Sequence, residues 1–585
     1  MTLGRRQSRG SARLSLLRVR SLPGRRTLLA AALGSAWLFA GLWPDPLHRA
    51  VGAGSGDPAQ MAWFLAWTSH ALMHGDNPFL TTFIDWPDGV NLRWNTSMPL
   101  VGLLLAPLTL VVGPMASVNV LLLLGPLTTT WTARLWLGRH VQQPLAASIG
   151  ALLIGFGPFV AAHAQGHVNF VLLGLVPVIL MLLEDVFWRR PGARSGTLLG
   201  VACAAQALTS EEVLVLLGGG VAVALGAAAV ARPREVAARL RGCVPALAAG
   251  FGVFALALSP ALVAQFLGPH QVAGLRGSYW SARLPDLVHP TERMLLHGPD
   301  VARWVRTRGL NSFEIDGYLG WPLLALLLGI AVLLDDWRVR VGLAVAVVST
   351  ALSLGPATSL HAAGSAHPIR LPDAVLFDQF GFRSLQPSRF AVVALVAVAF
   401  VLAVAADRAL RRRVWWRTPT VLVIAVAMLP LVPARVPHIG GANVPAFFQA
   451  GAPGLAEGRP VLILPLARAH ADAPMLWQAT AGMRFRLVGG YALNPTPRGR
   501  ASQAPPSNAL IRAATAASAG RPIRPEELSV ARQLLTGLGV GAVVVRDGPD
   551  AEPMFALAQQ LVGRGADRVE GGVQIWHLPQ AAHTG

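Results

Sequence analysis

A single carboxylate, Asp57, heads an aromatic-rich segment in a chain that is otherwise mostly apolar, within Gly56-Asp57-Pro58-Ala59-Gln60-Met61-Ala62-Trp63-Phe64. Proline favours the first turn of a helix, so Asp57 is predicted to cap a helix over 58–74, with Gln60 completing a capping box. Trp63, Trp67, His70 and His74 would share one stripe of that helix, beside a second stripe of Met61, Phe64, Leu65 and Leu72. That pattern predicts a helix lying in the membrane interface. A carboxylate held by backbone N–H groups at the bilayer edge is already oriented for a second task. Further on, Asp85-Trp86-Pro87-Asp88-Gly89-Val90-Asn91-Leu92 adds two carboxylates, although Pro-Asp-Gly is also a turn signal.

Three more clusters have types suited to an anionic or sugar ligand. His163-Ala164-Gln165-Gly166-His167-Val168-Asn169 places two imidazoles and two amides between apolar runs, where His163, His167 and Asn169 could meet a phosphate or a sugar or serve only as a solvated turn. Glu211 and Glu212 interrupt an apolar stretch; charge at that depth is costly, and a hairpin tip that caps the next helix with Thr209-Ser210 explains it as well as a binding role does. Arg383 and Arg389 precede an apolar run on the side poor in arginine, and guanidinium groups pair phosphate bidentately. As loop-end charges they are expected to add little to stability. Tyr279, Trp280 and Arg283 could line a sugar or lipid cleft.

These residues need elements to hold them, and composition says which kind. The 585 residues are 53% hydrophobic and 13% charged, a balance that excludes an ordinary soluble domain and implies a polytopic membrane protein. The net charge of +20 comes from arginines gathered in short connectors, so it marks the cytoplasmic side of a membrane and no nucleic-acid partner. Two cysteines in or beside apolar segments offer neither a disulfide framework nor a zinc cluster.

Residues 1–26 form a basic cytoplasmic terminus, followed by a retained apolar run to Trp43 and an extracytoplasmic first loop, 44–97. Apolar runs then recur to residue 433, giving a membrane domain over 27–433 with about 11 to 13 crossings. Arginine-rich connectors at 189–194, 232–241, 337–340 and 408–417 alternate with the other face. Counting every run as a crossing puts Arg189 and Arg190 outside, against the charge rule. Either the short 98–113 run is re-entrant or the first loop hides a crossing. Beyond residue 433 composition turns polar, and Val461–Pro465 and Val540–Val545 read as buried strands with helices near 526–538 and 552–564, so 434–585 is expected to be a small extracytoplasmic α/β domain, a lid or interaction module. No motif calls for a cofactor, and a divalent metal stays open.

Together, the basic terminus, the first-loop Asp57 segment through Asn77-Pro78-Phe79, Pro87-Asp88-Gly89-Val90-Asn91-Leu92, the Gln165-Gly166-His167 turn and the Arg383–Arg389 segment resemble the GT-C superfamily of membrane glycosyltransferases. The resemblance implies a GT-C-like helical fold in the bacterial plasma membrane. It implies sugar transfer from a polyprenyl-phosphate-linked donor to an extracytoplasmic acceptor, with Asp57 as base and Arg or His stabilising the leaving phosphate. The chain departs from the clearest members in lacking a paired acidic motif in the first loop. A transporter or flippase of lipid-linked glycans, or an assembly protein without catalysis, would fit the same outline.

Overall fold

The computed structural model describes residues 24–579 apart from 53–55, 274–279, 308–311, 359–368, 372–373, 378, 380–381, 413 and 470. Tyr279 lies outside the described residues, as does the side chain of Arg383.

Proline or glycine starts most of the helices, as expected where apolar runs are separated by short polar breaks. α1 (Arg25–Leu38) precedes the first loop, which contains α2 (Asp57–His74). α3 (Pro99–Val112) and α4 (Pro114–Leu137) meet at Gly113. α5 (Pro144–Phe156) and α6 (Pro158–His163) form one bent apolar unit, followed by α7 (Leu175–Glu184). Then come α8 (Ala193–Ala231), α9 (Pro233–Leu267), α10 (Trp321–Leu333), α11 (Trp337–Ser353), α12 (Ala391–Leu410) and α13 (Arg417–Met428). Among the described residues, four helical stretches are by length and composition long and apolar enough to cross a membrane: 144–163, 193–231, 233–267 and 387–410. Val230, Leu333 and Leu256 are 87%, 83% and 76% exposed, which suits helices facing lipid and no soluble surface. This is a membrane protein.

Two features of the chain path bear on the site. Gly196 lies against the Ala246 backbone and Gly200 against Gly250, so the first half of α8 runs parallel to α9 with small residues at the crossing. Yet only Arg232 separates Ala231 from Pro233, where α9 starts, so the second half of α8 has to return the way it came. The reversal is at Ser210, whose backbone is extended (φ −159°, ψ 103°). Glu211 and Glu212 therefore sit at a hairpin tip.

The second feature concerns α3. Gly102 packs on Thr68 of α2, while at the far end Thr109 and Ser117 share a 2.9 Å hydrogen bond. Two residues on, Asn119 donates to the carbonyls of Pro46 and Arg49 at 2.9 and 2.7 Å. Both ends of α3 thus lie beside the first loop.

Strands and helices alternate in the carboxyl-terminal region, called here the carboxyl-terminal domain. β1 (Pro460–Leu464), β2 (Arg486–Leu487), β3 (Ala542–Arg546), β4 (Arg568–Glu570) and β5 (Val573–His577) form one sheet in the order β4-β5-β3-β1-β2. β1 is parallel to both β2 and β3, whereas β5 is antiparallel to β3 and β4. α14 (Ala473–Thr480) packs towards the first loop, and α15 (Ala509–Ser518), α16 (Pro525–Gly537) and α17 (Glu552–Val562) enclose a separate apolar core with Leu462, Val543 and Trp576.

This domain is fastened to the first loop by backbone and buried side-chain hydrogen bonds. Trp86 N donates to Leu487 O at 3.0 Å, and Leu487 N donates to Phe83 O at 2.8 Å. Arg49–Val51 pairs antiparallel with Ile439–Gly441. The interfacial-helix expectation for α2 fails for this reason: Trp63, Phe64, Leu65 and Trp67 are 0%, 1%, 0% and 2% exposed, and only Leu72, Met73 and His74 at its end face outward. The aromatic stripe meets protein in place of lipid, with Trp63 Nε1 donating to Gln478 Oε1 of α14.

Candidate active site

Asp57 does not cap α2. Gly56 occupies the cap position with a positive φ of 76°, and Asp57 lies in the first turn with no side-chain cap bond. Gln60 completes no capping box; its amide donates to the Tyr491 carbonyl at 2.6 Å. With the helix amides left out, both carboxylate oxygens of Asp57 are used elsewhere. Oδ2 lies 2.7 Å from Nε2 of His167, and Oδ1 accepts from the Tyr491 hydroxyl at 3.0 Å. Burial alone would push the Asp57 carboxyl up, but the His167 ring, the Tyr491 hydroxyl and the Arg389 charge hold it below its ordinary value. The result is a desolvated carboxylate kept ionised by neighbours from two distant parts of the chain. Burial and the Asp57 charge in turn raise Tyr491.

The His163–Asn169 turn continues inward from Asp57. His167 Nδ1 and His163 Nδ1 are 2.8 Å apart, and His163 Nε2 is 3.1 Å from Oδ2 of Asp316. Phe159, Phe170 and Phe313 pack around the two rings, and His163 and its Asp316 partner are fully buried. Asn169 points to the hairpin tip, its amide 3.4 Å from Ser210 Oγ.

Arg389 is the hub next to this chain. It donates to Glu212 through Nη1 and to Glu314 through Nε (3.2 Å) and Nη2 (2.7 Å), and its guanidinium lies 4.5 Å from the Phe170 ring centre. Three of its five N–H groups are thereby committed. The expectation of a loop-end charge with little structural weight is wrong, because Arg389 ties α8's hairpin tip, the loop before α10 and the start of α12. Arg389 holds the Glu314 carboxyl down at about 2 against the effect of burial. Asp316 goes the other way: burial first, then the Glu314 charge, raise it.

The remaining predicted residues lie further out. Glu211 accepts from buried Arg93 at 2.8 Å. Asp85 is buried at the seam with the carboxyl-terminal domain, where Asn494 Nδ2 donates to its Oδ2 at 2.6 Å, and burial raises its carboxyl to about 7. Asp88 is exposed on a cleft of about 340 Å³ that also holds Asp76, His270 and Arg486. Arg383 falls within the turn Phe382–Ser384, its side chain outside the described residues. Trp280 is used through its backbone, whose N–H donates to Gln386 Oε1 at 2.8 Å.

Sequence reasoning missed Glu314, Asp316, Asp472 and Tyr491. The acidic pair in Phe313-Glu314-Ile315-Asp316-Gly317, directly before an apolar run, was a signal, and so was the rarity of tyrosine, with three in the chain. Asp472 of the carboxyl-terminal domain accepts from Gly56 N at 2.7 Å and is raised to about 7, chiefly by burial.

His163, Glu314 and Asp316 offer ligand atoms within 4.8 Å of one another. Glu314 is already bidentate to Arg389, and Asp316 holds His163, so a divalent cation there would have to displace the guanidinium. The donor set as arranged does not fit one. From Val213 and Val392, next to the Glu212–Arg389 pair, an apolar groove of about 400 Å³ extends between α7, α8, α11 and α12 to Trp188, Arg189, Trp337 and Arg338.

No protein-family model matches the chain, and no curated protein matches it by sequence. Among solved structures it is similar to the arabinofuranosyltransferase AftD from Mycobacteria, at 16% identity and a TM-score of 0.52, over 96% of this chain and 42% of that one. It is also similar to the Archaeoglobus fulgidus oligosaccharyltransferase in its apo form (15% identity, TM-score 0.49, 92% of this chain and 71% of that one). A third similar structure is ArnT from Cupriavidus metallidurans bound to undecaprenyl phosphate (11%, 0.48, 94% and 96%). Identities this low speak to the fold alone: the chain has a GT-C fold, shared with that arabinofuranosyltransferase.

Proposed function

We propose that the chain is a membrane glycosyltransferase that moves a sugar from a polyprenyl-phosphate donor to a hydroxyl acceptor outside the cytoplasm of a bacterial cell. The observation that carries this is Asp57, a half-buried carboxylate kept ionised by His167 and Tyr491 and free of any capping duty. Such a group can take the proton of an acceptor hydroxyl as its oxygen forms the new bond to the sugar and the bond from sugar to phosphate breaks. The apolar groove beside Glu212 and Arg389 suits an isoprenoid tail. A phosphate at its mouth would meet the N–H groups that Arg389 has left, close to the developing charge. Asp88 and its polar cleft lie on the acceptor's side, while Asp85 and Glu211 hold loops in place.

The same proposal fixes the path through the membrane. With α3 on one side and α8 folded back at Ser210, the crossings number 11, counted as α1, α4, α5–α6, α7, two from α8, α9, α10, α11, α12 and α13. The amino terminus is then cytoplasmic and the carboxyl-terminal domain extracytoplasmic, and Arg189 and Arg190 return to the cytoplasmic side as the charge rule requires.

The test uses the full chain in lipid nanodiscs with a panel of polyprenyl-phosphate sugars. The expected result is release of sugar from one donor, with transfer to added glycan. A folded protein that neither binds nor cleaves any of them would overturn the enzyme reading and favour a transport or assembly role.

A further inference from the structure

Between Asp57 and Asp316 lie three hydrogen-bond gaps in series: Asp57 Oδ2 to His167 Nε2 (2.7 Å), His167 Nδ1 to His163 Nδ1 (2.8 Å), and His163 Nε2 to Asp316 Oδ2 (3.1 Å). A nitrogen–nitrogen contact of this kind exists only if one ring donates and the other accepts, so the two imidazoles cannot choose their protonated nitrogens independently. Three gaps filled by three protons leave either end carboxylate, or either ring, carrying the third proton, and these four arrangements interconvert by hops along existing hydrogen bonds. The inner end is walled from water, since His163 and Asp316 are fully buried.

We infer that Asp57 and Asp316 are the two ends of one proton path through His167 and His163, by which the charge on His167 is discharged into Asp316 when Asp57 takes a proton. The direction of flow rests on Asp57 acting as the base; the connection itself does not. One of these arrangements puts the third proton on His167, with Asp57 and Asp316 as carboxylates and His163 neutral with its proton on Nε2. As the acceptor's O–H bond breaks and Asp57 gains that proton, His167 would be left as an unpaired cation in a half-buried site, which is costly. It avoids this by passing its Nδ1 proton to His163 Nδ1, and His163 passes its Nε2 proton to Asp316 Oδ2. One proton has entered, the four groups go from a net charge of −1 to 0, and no buried imidazolium remains.

The surroundings of each end agree with that direction. Asp316 faces His163, with Glu314, Asp286 and Arg389 as the nearby charges, and burial together with Glu314 raises its affinity for a proton. Asp57 faces His167 and Tyr491, with Asp472 and Arg389 nearby. Asp316 is thus a positioning residue, acting through two rings on a carboxylate it never touches.

The path is tested without any substrate by infrared titration of the full chain in nanodiscs. The protonated-carboxyl band lost in Asp316→Asn identifies Asp316. Asp57→Asn is then made in the parent and in a His163→Gln background, a cycle that isolates coupling through the rings because the through-space distance is the same in both. The expected result is a shift of the Asp316 midpoint by about one pH unit or more in the parent, and by less than half of that with His163→Gln. Equal shifts in both backgrounds would overturn the path. His167→Gln breaks the neighbouring link and serves the same cycle if His163→Gln does not fold, as judged by thermal melting. Coupling in a protein that transfers no sugar would leave the path standing and remove the transferase reading; transfer without coupling would do the reverse.

Discussion

Asp57 illustrates how one residue's duties are told apart by what its oxygens touch. Because it caps nothing and Asn keeps an acceptor oxygen for Tyr491, Asp57→Asn should leave the protein folded while lowering sugar transfer by roughly 10²- to 10⁴-fold, the usual contribution of a general base. Transfer at the parent rate would return the base to Asp85, Asp88 or the glutamate pair. Tyr491→Phe makes a sharper test of environment. The Tyr491 hydroxyl lowers the Asp57 carboxyl, so its removal should move the acid limb of kcat/KM to higher pH, with loss greatest at low pH and small above neutrality. An unmoved limb would mean that the hydroxyl does not tune Asp57. At this scale the sequence exposed Asp57 and His167, because polar groups between apolar runs stand out. Tyr491 did not stand out: 434 positions separate it from its partner, and no local pattern reports such a distance.

At the scale of elements, the main misjudgements came from one-dimensional patterns that cannot say what covers a face. The α2 stripe is amphipathic in the way an interfacial helix is, but a folded domain lies where lipid was expected. Arg389 looked like a solvated loop end because its two carboxylates are contributed by other elements. Removing it strands Glu212 and Glu314 in the interior, so Arg389→Gln should destabilise by about 3–5 kcal/mol, read as a fall in melting temperature. Adding Glu314→Gln should recover part of that; no recovery would place the loss elsewhere. The seam between the first loop and the carboxyl-terminal domain has a pH dependence of its own. Asp85 and Asp472 are raised from 3.8 to about 7, so the docked state holds protons that the undocked state releases. Docking should therefore weaken as pH rises from about 4 to about 7 and then level off. Hydrogen exchange at Leu487 and Gly56 at pH 5 and pH 8 would measure this, and the difference should shrink in the Asp85→Asn, Asp472→Asn double variant.

For the whole molecule, the apolar runs and the polar tail were legible because hydropathy and the backbone's need for internal hydrogen bonds leave few alternatives in a membrane. The path of the chain was not, since a short apolar run has the same composition whether it crosses or lies along one face. The proposed path turns on α3. Its start packs on Thr68 and its end leads into Asn119, which holds first-loop carbonyls, and the proposal therefore keeps both ends on one side. A reporter fused after Gly113 should accordingly be extracytoplasmic, as should one after Gly585, while reporters after Leu137 and Arg417 should be cytoplasmic. If α3 crossed, the Gly113 fusion would be cytoplasmic and every later side would invert unless another crossing were lost. His163, Glu212, Glu314 and Arg389 would then open towards the cytoplasm, away from Asp57, although hydrogen bonds join the two groups through His167. A cytoplasmic signal at Gly113 would therefore break the membrane path and the site together.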